Sequence, residues 1–203
     1  MFSNLLSPDN PIMQFITKLA YTTWLNILWF ICCIPIVTIG PSTAALFYCC
    51  QQIVDDTEGN ITSAFFKSFK MNMKQGIHIS VILIALGSIL AVDGYVLYHL
   101  YTSSVFWTML TAVFIVACII YFMILMYIFP LLARFHNTTF AMFKNALILS
   151  LRYLLCTILM ALIYFAMLLI VVRFYTPAII FGMGTCAFLC SLLLSRIIRQ
   201  LEP

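Results

Sequence analysis

A long stretch without charge limits what this chain can fold into. Residues 19–54, between Lys18 and Asp55, contain no Asp, Glu, Lys or Arg. The whole chain is 65% hydrophobic and 8% charged, whereas soluble domains carry about 25% charged residues. A chain of 203 residues cannot hide that much apolar surface from water, so its solvent must be lipid. The sequence therefore predicts a membrane protein.

Two prolines and a glycine interrupt the uncharged stretch: Pro35, Gly40 and Pro41. A membrane-spanning helix needs roughly 20 residues, so the stretch is too long for one crossing and too short for two crossings with a turn. We predict a span at 19–39 and a short helix at 42–54 that lies at an angle or at the interface. Ser42 can cap the start of that helix. If residues 42–54 cross instead, the chain has six spans.

The rest of the chain divides into four more apolar segments and two short amphipathic ones. The predicted fold is an all-α, polytopic membrane helical bundle that forms a single domain over residues 1–203, with five transmembrane helices. Pro130 lies near the end of the third span, as Pro35 does in the first. The remaining spans are predicted at about 75–93, 106–131, 153–172 and 174–195, and the further short helices at about 62–72 and 138–150.

The distribution of lysine and arginine predicts the orientation of the chain. Eight of the ten basic residues lie in the connections 55–74 and 132–152 and in the C-terminal tail, and Lys18 and Arg173 lie on the opposite side of a five-span bundle. Cytoplasmic loops carry the excess of these residues. We therefore expect a cytoplasmic C-terminus and an N-terminus outside. Six spans would place the N-terminus inside.

The segment after the first polar loop has the pattern of an amphipathic helix. Thr62 or Ser63 can cap it, with phenylalanines on one side and lysines on another. Such a helix lies on a membrane surface that carries anionic lipid, or it docks on a partner protein. The candidate contacts on this cytoplasmic face are Phe65, Phe66, Lys67, Phe69, Lys70, Lys74, Arg134 and Lys144.

Two short segments resemble each other. Ala64–Ser68 reads AFFKS and Ala141–Asn145 reads AMFKN, and each precedes a new span. Two helical hairpins with a shared plan would produce this similarity, and so would chance in so biased a composition.

The sequence contains few groups for chemistry. The eight cysteines lie in apolar runs, where cysteine behaves as a small buried residue rather than as a disulfide or metal ligand. There is no HExxH, no Gly-rich phosphate loop and no arrangement of Ser, His and acid. Asp93 and Arg173 form a candidate pair at the outer face, or they are an interfacial acid and a snorkelling arginine that never meet. We therefore predict no enzyme activity, no cofactor, no metal and no nucleic-acid partner.

Three segments together resemble the YesL-like family of bacterial integral membrane proteins. They are NILWFICCIPIVTIGPSTAALFY at 26–48, SAFFKSFKMNMKQ at 63–75 and FPLLARFHN at 129–137. The resemblance implies a multi-pass protein of the bacterial cytoplasmic membrane, from a family without an assigned biochemical activity. Within these segments, five positions form the family motif and are expected to break the helices: Pro35, Gly40, Pro41, Ser42 and Pro130.

Members of that family are often encoded beside sugar-importing ABC transporters. The resemblance therefore implies a non-enzymatic accessory component of carbohydrate uptake, with subunits of a sugar ABC importer as possible partners. The alternative is a small transporter in its own right, with the broken segment Pro35–Pro41 lining its path. The turn at 39–42 is predicted to lie near the cytoplasmic face, where it would shape a docking surface.

Overall fold

A computed structural model describes residues 11–57, 59–100, 104–135, 137–173 and 179–201. All regular secondary structure in these residues is helical, as predicted for an all-α bundle. The helices are α1 (Pro11–Cys32), α2 (Ile39–Val54), α3 (Ile61–Met71), α4 (Met73–Leu100), α5 (Val105–Arg134), α6 (Thr139–Arg152), α7 (Leu154–Arg173) and α8 (Ile179–Leu201).

The chain breaks between α1 and α2 at Pro35, which lacks an N–H and clashes with a preceding helical turn. A single 3-10 turn, Ile36–Thr38, follows the proline. The Thr38 hydroxyl lies 2.6 Å from the Cys32 carbonyl oxygen and 2.7 Å from that of Pro35, and it donates to them. These hydrogen bonds satisfy carbonyl oxygens that would accept backbone N–H groups if the helix continued. The predicted span at 19–39 is therefore wrong in its bounds, because α1 begins earlier and ends at Cys32.

The start of α2 also differs from the prediction. The helix begins at Ile39, and Pro41 is its third residue, within the first turn, where a missing N–H costs nothing. Ser42 is therefore inside the helix and is not its cap. Its hydroxyl donates to the Thr38 carbonyl oxygen at 2.7 Å. The helix therefore begins three residues before the predicted start at Ser42 and includes Pro41.

Helix α2 is the centre of the bundle and not an interfacial helix. Of its 16 residues, 12 are buried, and α1, α3, α4, α5 and α8 all pack against it. Its first turn approaches α4 at backbone distance. A Cβ on Gly76 would lie 2.8 Å from the Pro41 nitrogen, and a Cβ on Gly40 would collide with the Ser80 hydroxyl and the Gly76 carbonyl. Small residues permit this approach, as they do at other membrane helix interfaces.

Helices α1 and α2 form an antiparallel hairpin. Near its tip, the Trp29 indole N–H donates to the Thr43 hydroxyl at 3.1 Å. At its open end, the Lys18 ammonium lies 2.6 Å from an Asp56 carboxylate oxygen. The break is therefore at the far end of α2 from Asp56, which corrects the predicted position of the turn beside the polar loop.

Helices α4 and α5 form a second, longer hairpin. The predicted end at Asp93 is too early, because α4 continues to Leu100. The span predicted at about 106–131 agrees with α5 to within a few residues. Pro130 lies close enough to the C-terminus of α5 that few helical bonds are lost. The buried residues of α5 are the seven from Tyr127 to Ala133. The earlier part of α5 faces outward or lies against α4.

The two short helices α3 and α6 follow the same local plan. Asn60 caps α3, with its side-chain oxygen accepting from the Ser63 N–H at 3.2 Å, so neither predicted cap, Thr62 nor Ser63, is correct. Thr138 caps α6, and its side-chain oxygen accepts from the Ala141 N–H at 3.4 Å. One non-helical residue then separates each from a long helix, Asn72 before α4 and Tyr153 before α7. The sequence similarity therefore coincides with a shared local structure.

The last two helices complete the bundle. The predicted span at 153–172 agrees with α7. The predicted span at 174–195 agrees in part with α8, and its residues 174–178 lie outside the described residues. The Gly184 N–H donates to the buried Asn26 side-chain oxygen at 2.8 Å, which joins α8 to α1.

Within the described parts of the chain, four helices are long and apolar enough to cross a membrane: α4, α5, α7 and α8. These helices make the chain a multi-pass membrane protein. The predicted count of five is not reproduced. The uncharged stretch from which the first span was predicted contains the α1–α2 hairpin, of which α2 has only 16 residues.

Candidate functional site: the basic end of the bundle

The ends of three helices meet at one carboxylate. Asp55 follows α2, and its carboxylate accepts from the Arg134 guanidinium of α5 at 2.9 Å and from that of Arg199 of α8 at 2.6 Å. The Asp55 side chain is 11% exposed and that of Arg199 60% exposed. We call this end of the bundle, with the residues around Asp55, the basic end. The cluster fixes α2, α5 and α8 against one another.

The pKa of Asp55 reflects this environment. Desolvation by burial raises the pKa of the carboxyl group. The hydrogen bonds and positive charges of Arg199 and Arg134 outweigh this effect, so that the pKa is lowered from its ordinary value. Asp55 is therefore ionised at neutral pH and acts as a structural anion.

Lys18 also lies at the basic end, because it pairs with Asp56 in the loop directly after α2. The prediction that Lys18 lies opposite the loop 55–74 is therefore wrong. With Lys18 moved, nine of the ten basic residues belong to the basic end and its connections, and Arg173 is the tenth. The α1–α2 hairpin thus begins and ends on one side.

Helix α3 is held against the bundle by its buried face. Phe65 is fully buried, and Phe69 stacks on it with ring centroids 6.5 Å apart. The Trp24 indole N–H of α1 donates to the Thr62 hydroxyl at 3.0 Å. The prediction that the three phenylalanines share an outward contact face is therefore wrong, because Phe65 belongs to the core.

One edge of α3 is exposed and carries an apolar side chain beside a cation. Phe66 is 40% exposed, and Lys70, one turn later on the same edge, is exposed. Lys74, in the first turn of α4, and Lys144, on α6, are exposed as well. Of the predicted contact residues, these four and the exposed Lys67 therefore remain available to a ligand or partner.

The other edge of α3 borders a pocket. Lys67 and Met71, one turn apart, line a cavity of about 240 Å³ together with Ser68 and Asn72, between α3, α2 and the end of α5. Arg134 is on its wall, so the pocket lies beside the Asp55 cluster. The remaining lining residues are Tyr48 and Ala133.

The residues of the predicted structural break form scaffold contacts. Three of them, Gly40, Pro41 and Ser42, are buried where the first turn of α2 packs against α4. Pro35 is exposed at the tip of the hairpin. The Pro130 carbonyl accepts from the buried Gln51 side-chain amide at 3.2 Å, which joins α5 to α2. These contacts explain why a break is needed, since the hairpin must turn to return α2 to the centre.

The structure does not bring Asp93 and Arg173 together. Asp93 is exposed and lines a shallow pocket formed by residues of α4 and α5, including Leu97 and Phe114. Arg173 is the exposed last residue of α7. Within the ranges that the structure covers, no ion pair joins the two.

The eight cysteines are free thiols, and four of them are buried among the helices: Cys49, Cys50, Cys186 and Cys190. These four lie in the core as small apolar residues, whereas Cys32, Cys33, Cys118 and Cys156 are only partly buried. Among the described residues, no group of three or more His, Cys, Asp or Glu side chains could hold a metal ion.

Asp55, Asp56 and Arg199 are the site residues that the sequence did not identify. Asp55 is separated from Arg134 by 79 positions and from Arg199 by 144, so no local spacing marks these pairs. A hint lies in the position of Asp55 as the first charge after the long apolar stretch. A carboxylate there ends a helix buried by its neighbours and is available to bind their basic ends.

The chain matches, over residues 22–94, a family model described as "Protein of unknown function, DUF624". The matched residues run from the middle of α1 through α2 and α3 into α4, so they include the break and the central helix. Comparisons with curated proteins and with solved structures gave no significant match.

Proposed function

We propose that this chain is a non-enzymatic accessory component of a bacterial carbohydrate importer of the ABC type, which it binds through the basic end. The observation that carries the proposal is the exposed edge of α3, where Phe66 lies beside Lys70 on a helix fixed to the core. An aromatic side chain is a typical anchor of a protein docking surface, and a charge at its rim favours a partner of opposite charge.

The proposed location is the bacterial cytoplasmic membrane, with the basic end in the cytoplasm. Nine of ten basic residues belong to that end, and cytoplasmic segments carry such an excess. Because Lys18 pairs with Asp56, this orientation places the start of α1 and the C-terminus of α8 on the same, cytoplasmic side. The YesL-like resemblance supports a bacterial membrane.

The partner follows from the resemblance and not from the geometry. YesL-like proteins are often encoded beside sugar-importing ABC transporters, and the match to a family of unknown function over residues 22–94 is consistent with that resemblance. The segment that matches includes α3. A docking surface on α3 would therefore belong to the part of the chain that its relatives share.

A non-enzymatic role agrees with the use of the carboxylates. Asp55 and Asp56 are both engaged in ion pairs that hold helices together. A general acid or base needs a group that can exchange its proton with a substrate. These two acids instead connect helix ends through their ion pairs.

The alternative, a small permease, has one observation in its favour. A cavity of about 320 Å³ lies between α1, α2, α5, α7 and α8. Its walls are apolar, including Phe47, Phe122 and Met126, and the Thr43 hydroxyl on its wall is already bonded to Trp29 and the Ile39 carbonyl. Sugar hydroxyls would lose their hydrogen bonds in such a cavity. The accessory role is therefore favoured.

The test is co-purification with the importer. The tagged chain is extracted in mild detergent from cells grown on the imported sugar, and the recovered importer subunits are quantified. Combined Phe66→Ala and Lys70→Glu substitutions should reduce recovery at least about tenfold, because a docking anchor contributes roughly 2 kcal/mol or more. Arg173→Glu, at the end of α7, is the matched control and should leave recovery unchanged.

Recovery of the importer at the wild-type level from the double variant would contradict docking through α3. Reconstitution of the pure chain in liposomes addresses the alternative. Sugar uptake into such liposomes would support the permease and argue against the accessory role.

A further inference from the structure

We propose that the pocket beside Lys67 binds the phosphate group of an anionic phospholipid. The pocket lies at the point where two membrane-crossing helices end. Asn72, on its wall, immediately precedes α4, and Arg134, also on its wall, is the last residue of α5. The phosphates of a bilayer lie at the ends of its spanning helices, so the pocket is at the right depth.

The polar groups of the pocket suit an anion. Lys67 is exposed, and within the described residues no carboxylate pairs with it. The Tyr48 hydroxyl accepts a hydrogen bond from the Gln52 side-chain amide at 3.2 Å, so its own proton is available to donate to a ligand. The Arg134 guanidinium adds positive charge to the wall while it holds Asp55. A phosphate accepts several such charge-assisted bonds at once.

The apolar part of the pocket favours a lipid over a soluble phosphate. Met71 is 58% exposed and lies one turn from Lys67, and Ala133 forms the opposite wall. A lipid places its glycerol and the first acyl carbons next to its phosphate, so it would cover this apolar surface. A free phosphate ion would leave it exposed to water.

The pocket is separate from the proposed docking edge. Lys67 and Met71 line the pocket, whereas Phe66 and Lys70 are not among its lining residues. The inference does not depend on the proposed function. If lipid does not bind this pocket, the result of the co-purification experiment is unaffected. If the importer does not co-purify, the lipid-binding experiment is likewise unaffected.

The experiment measures retained lipid by native mass spectrometry. The chain is reconstituted in phosphatidylcholine vesicles with and without phosphatidylglycerol, extracted, and analysed for bound lipid. Wild type should retain phosphatidylglycerol in preference to phosphatidylcholine. Lys67→Gln should lower that retention about tenfold and Tyr48→Phe by a smaller factor, since a charged hydrogen bond contributes more than a neutral one. Lys67→Arg should restore most of it.

Lys144→Gln is the matched control, because Lys144 is exposed at the corresponding position of α6. Retention unchanged in Lys144→Gln and lowered in Lys67→Gln supports the pocket. Equal losses in both variants would show diffuse attraction to the basic end and overturn the proposal. So would retention that does not distinguish the two lipids.

A second arm separates the sources of the phosphate. Inorganic phosphate and glycerol phosphate are added in excess to the vesicle-loaded protein. Persistence of bound phosphatidylglycerol supports the lipid. Its full displacement by either soluble anion, together with binding of that anion to lipid-free protein, would overturn the lipid assignment.

Discussion

Helix α2 and the part of α5 before Tyr127 are both apolar, yet protein surrounds α2, whereas the outer surface of α5 faces lipid. In α2, 12 of 16 residues are buried by protein, whereas in α5 no residue before Tyr127 is fully buried. The difference is in side-chain size. The α2 sequence contains Gly40, Ser42, Ala44 and Ala45, which allow helices to approach closely, whereas bulky side chains dominate the exposed part of α5.

The comparison shows what hydropathy cannot separate. Lipid tails are as apolar as the side chains of a protein core, so apolar character alone does not say which of the two covers a helix. Small residues and buried polar groups, such as Gln51 bonded to the Pro130 carbonyl, mark the helix that other helices surround.

The largest effect is expected at the closest approach of α2 to α4. Gly76→Leu should destabilise the protein by more than about 3 kcal/mol, because even a Cβ there would lie 2.8 Å from the Pro41 nitrogen. Thermal unfolding in detergent measures this. Gly59→Leu is the matched control, since a Cβ at Gly59 meets nothing within 4 Å. A Gly76 variant as stable as the control would mean that α2 does not pack on α4 in this way.

A smaller loss of stability is expected from removing one buried side chain, and it compares a position inside the protein with one that faces lipid. Ile53 in α2 is fully buried, and Ile119 in α5 is 53% exposed. Ile53→Ala should cost about 2–3 kcal/mol because it leaves a cavity in the protein core. Ile119→Ala should cost much less, because lipid chains fill the space. Equal unfolding free energies for the two variants, measured in one lipid, would remove the distinction between the two regions.

Loss of the Asp55 carboxylate should have a smaller but clear effect. Asp55→Asn leaves Arg134 and Arg199 without their shared anion, and we expect destabilisation by about 2 kcal/mol. Asp56→Asn is the matched control. Its side chain is 75% exposed, and such a surface pair contributes less than about 1 kcal/mol. A ratio near one between the two losses would argue against a structural cluster at Asp55.

The same cluster predicts the direction of a pH effect. The pKa of Asp55 is lowered in the folded protein, so its contribution is present above the unfolded-state pKa of about 3.9 and is lost as the pH falls through the folded-state pKa. Unfolding measured from neutral pH into acid should therefore show a loss of stability in wild type below about pH 4. Asp55→Asn should lack that part of the loss. An identical acid dependence in both proteins would contradict the assignment.

Much of the fold could be predicted from the sequence, and the gaps have physical causes. The apolar segments and polar connections located α3, α6 and α7 to within a few residues, because span length and amphipathic pattern are local properties. The position of the break was wrong because Pro41 fits the first turn of a helix as well as it breaks one. Only the bonds of Thr38 to the Cys32 and Pro35 carbonyls show where the chain turns.

The candidate site was predicted less completely. Helical spacing predicts the exposed lysines of α3, but it does not reveal which edge of the helix meets the core, so it does not show that Phe65 is buried. The ion pairs of Asp55 and Asp56 join residues far apart in the sequence. The sequence analysis counts one crossing between Lys18 and Asp55, where the chain in fact forms a hairpin. It therefore predicts Lys18 on the wrong side of the bundle.

The most direct test of this account is the sidedness of the start of α1. Gln14 is exposed near the beginning of α1, and Asn137 is exposed in the connection after α5. Gln14→Cys and Asn137→Cys are labelled in intact cells and in inverted vesicles with a membrane-impermeant thiol reagent, and the unsubstituted chain gives the background. We predict that both sites react only in inverted vesicles. Labelling of Gln14→Cys in intact cells, with Asn137→Cys still protected, would contradict the hairpin that returns α2 to the basic end.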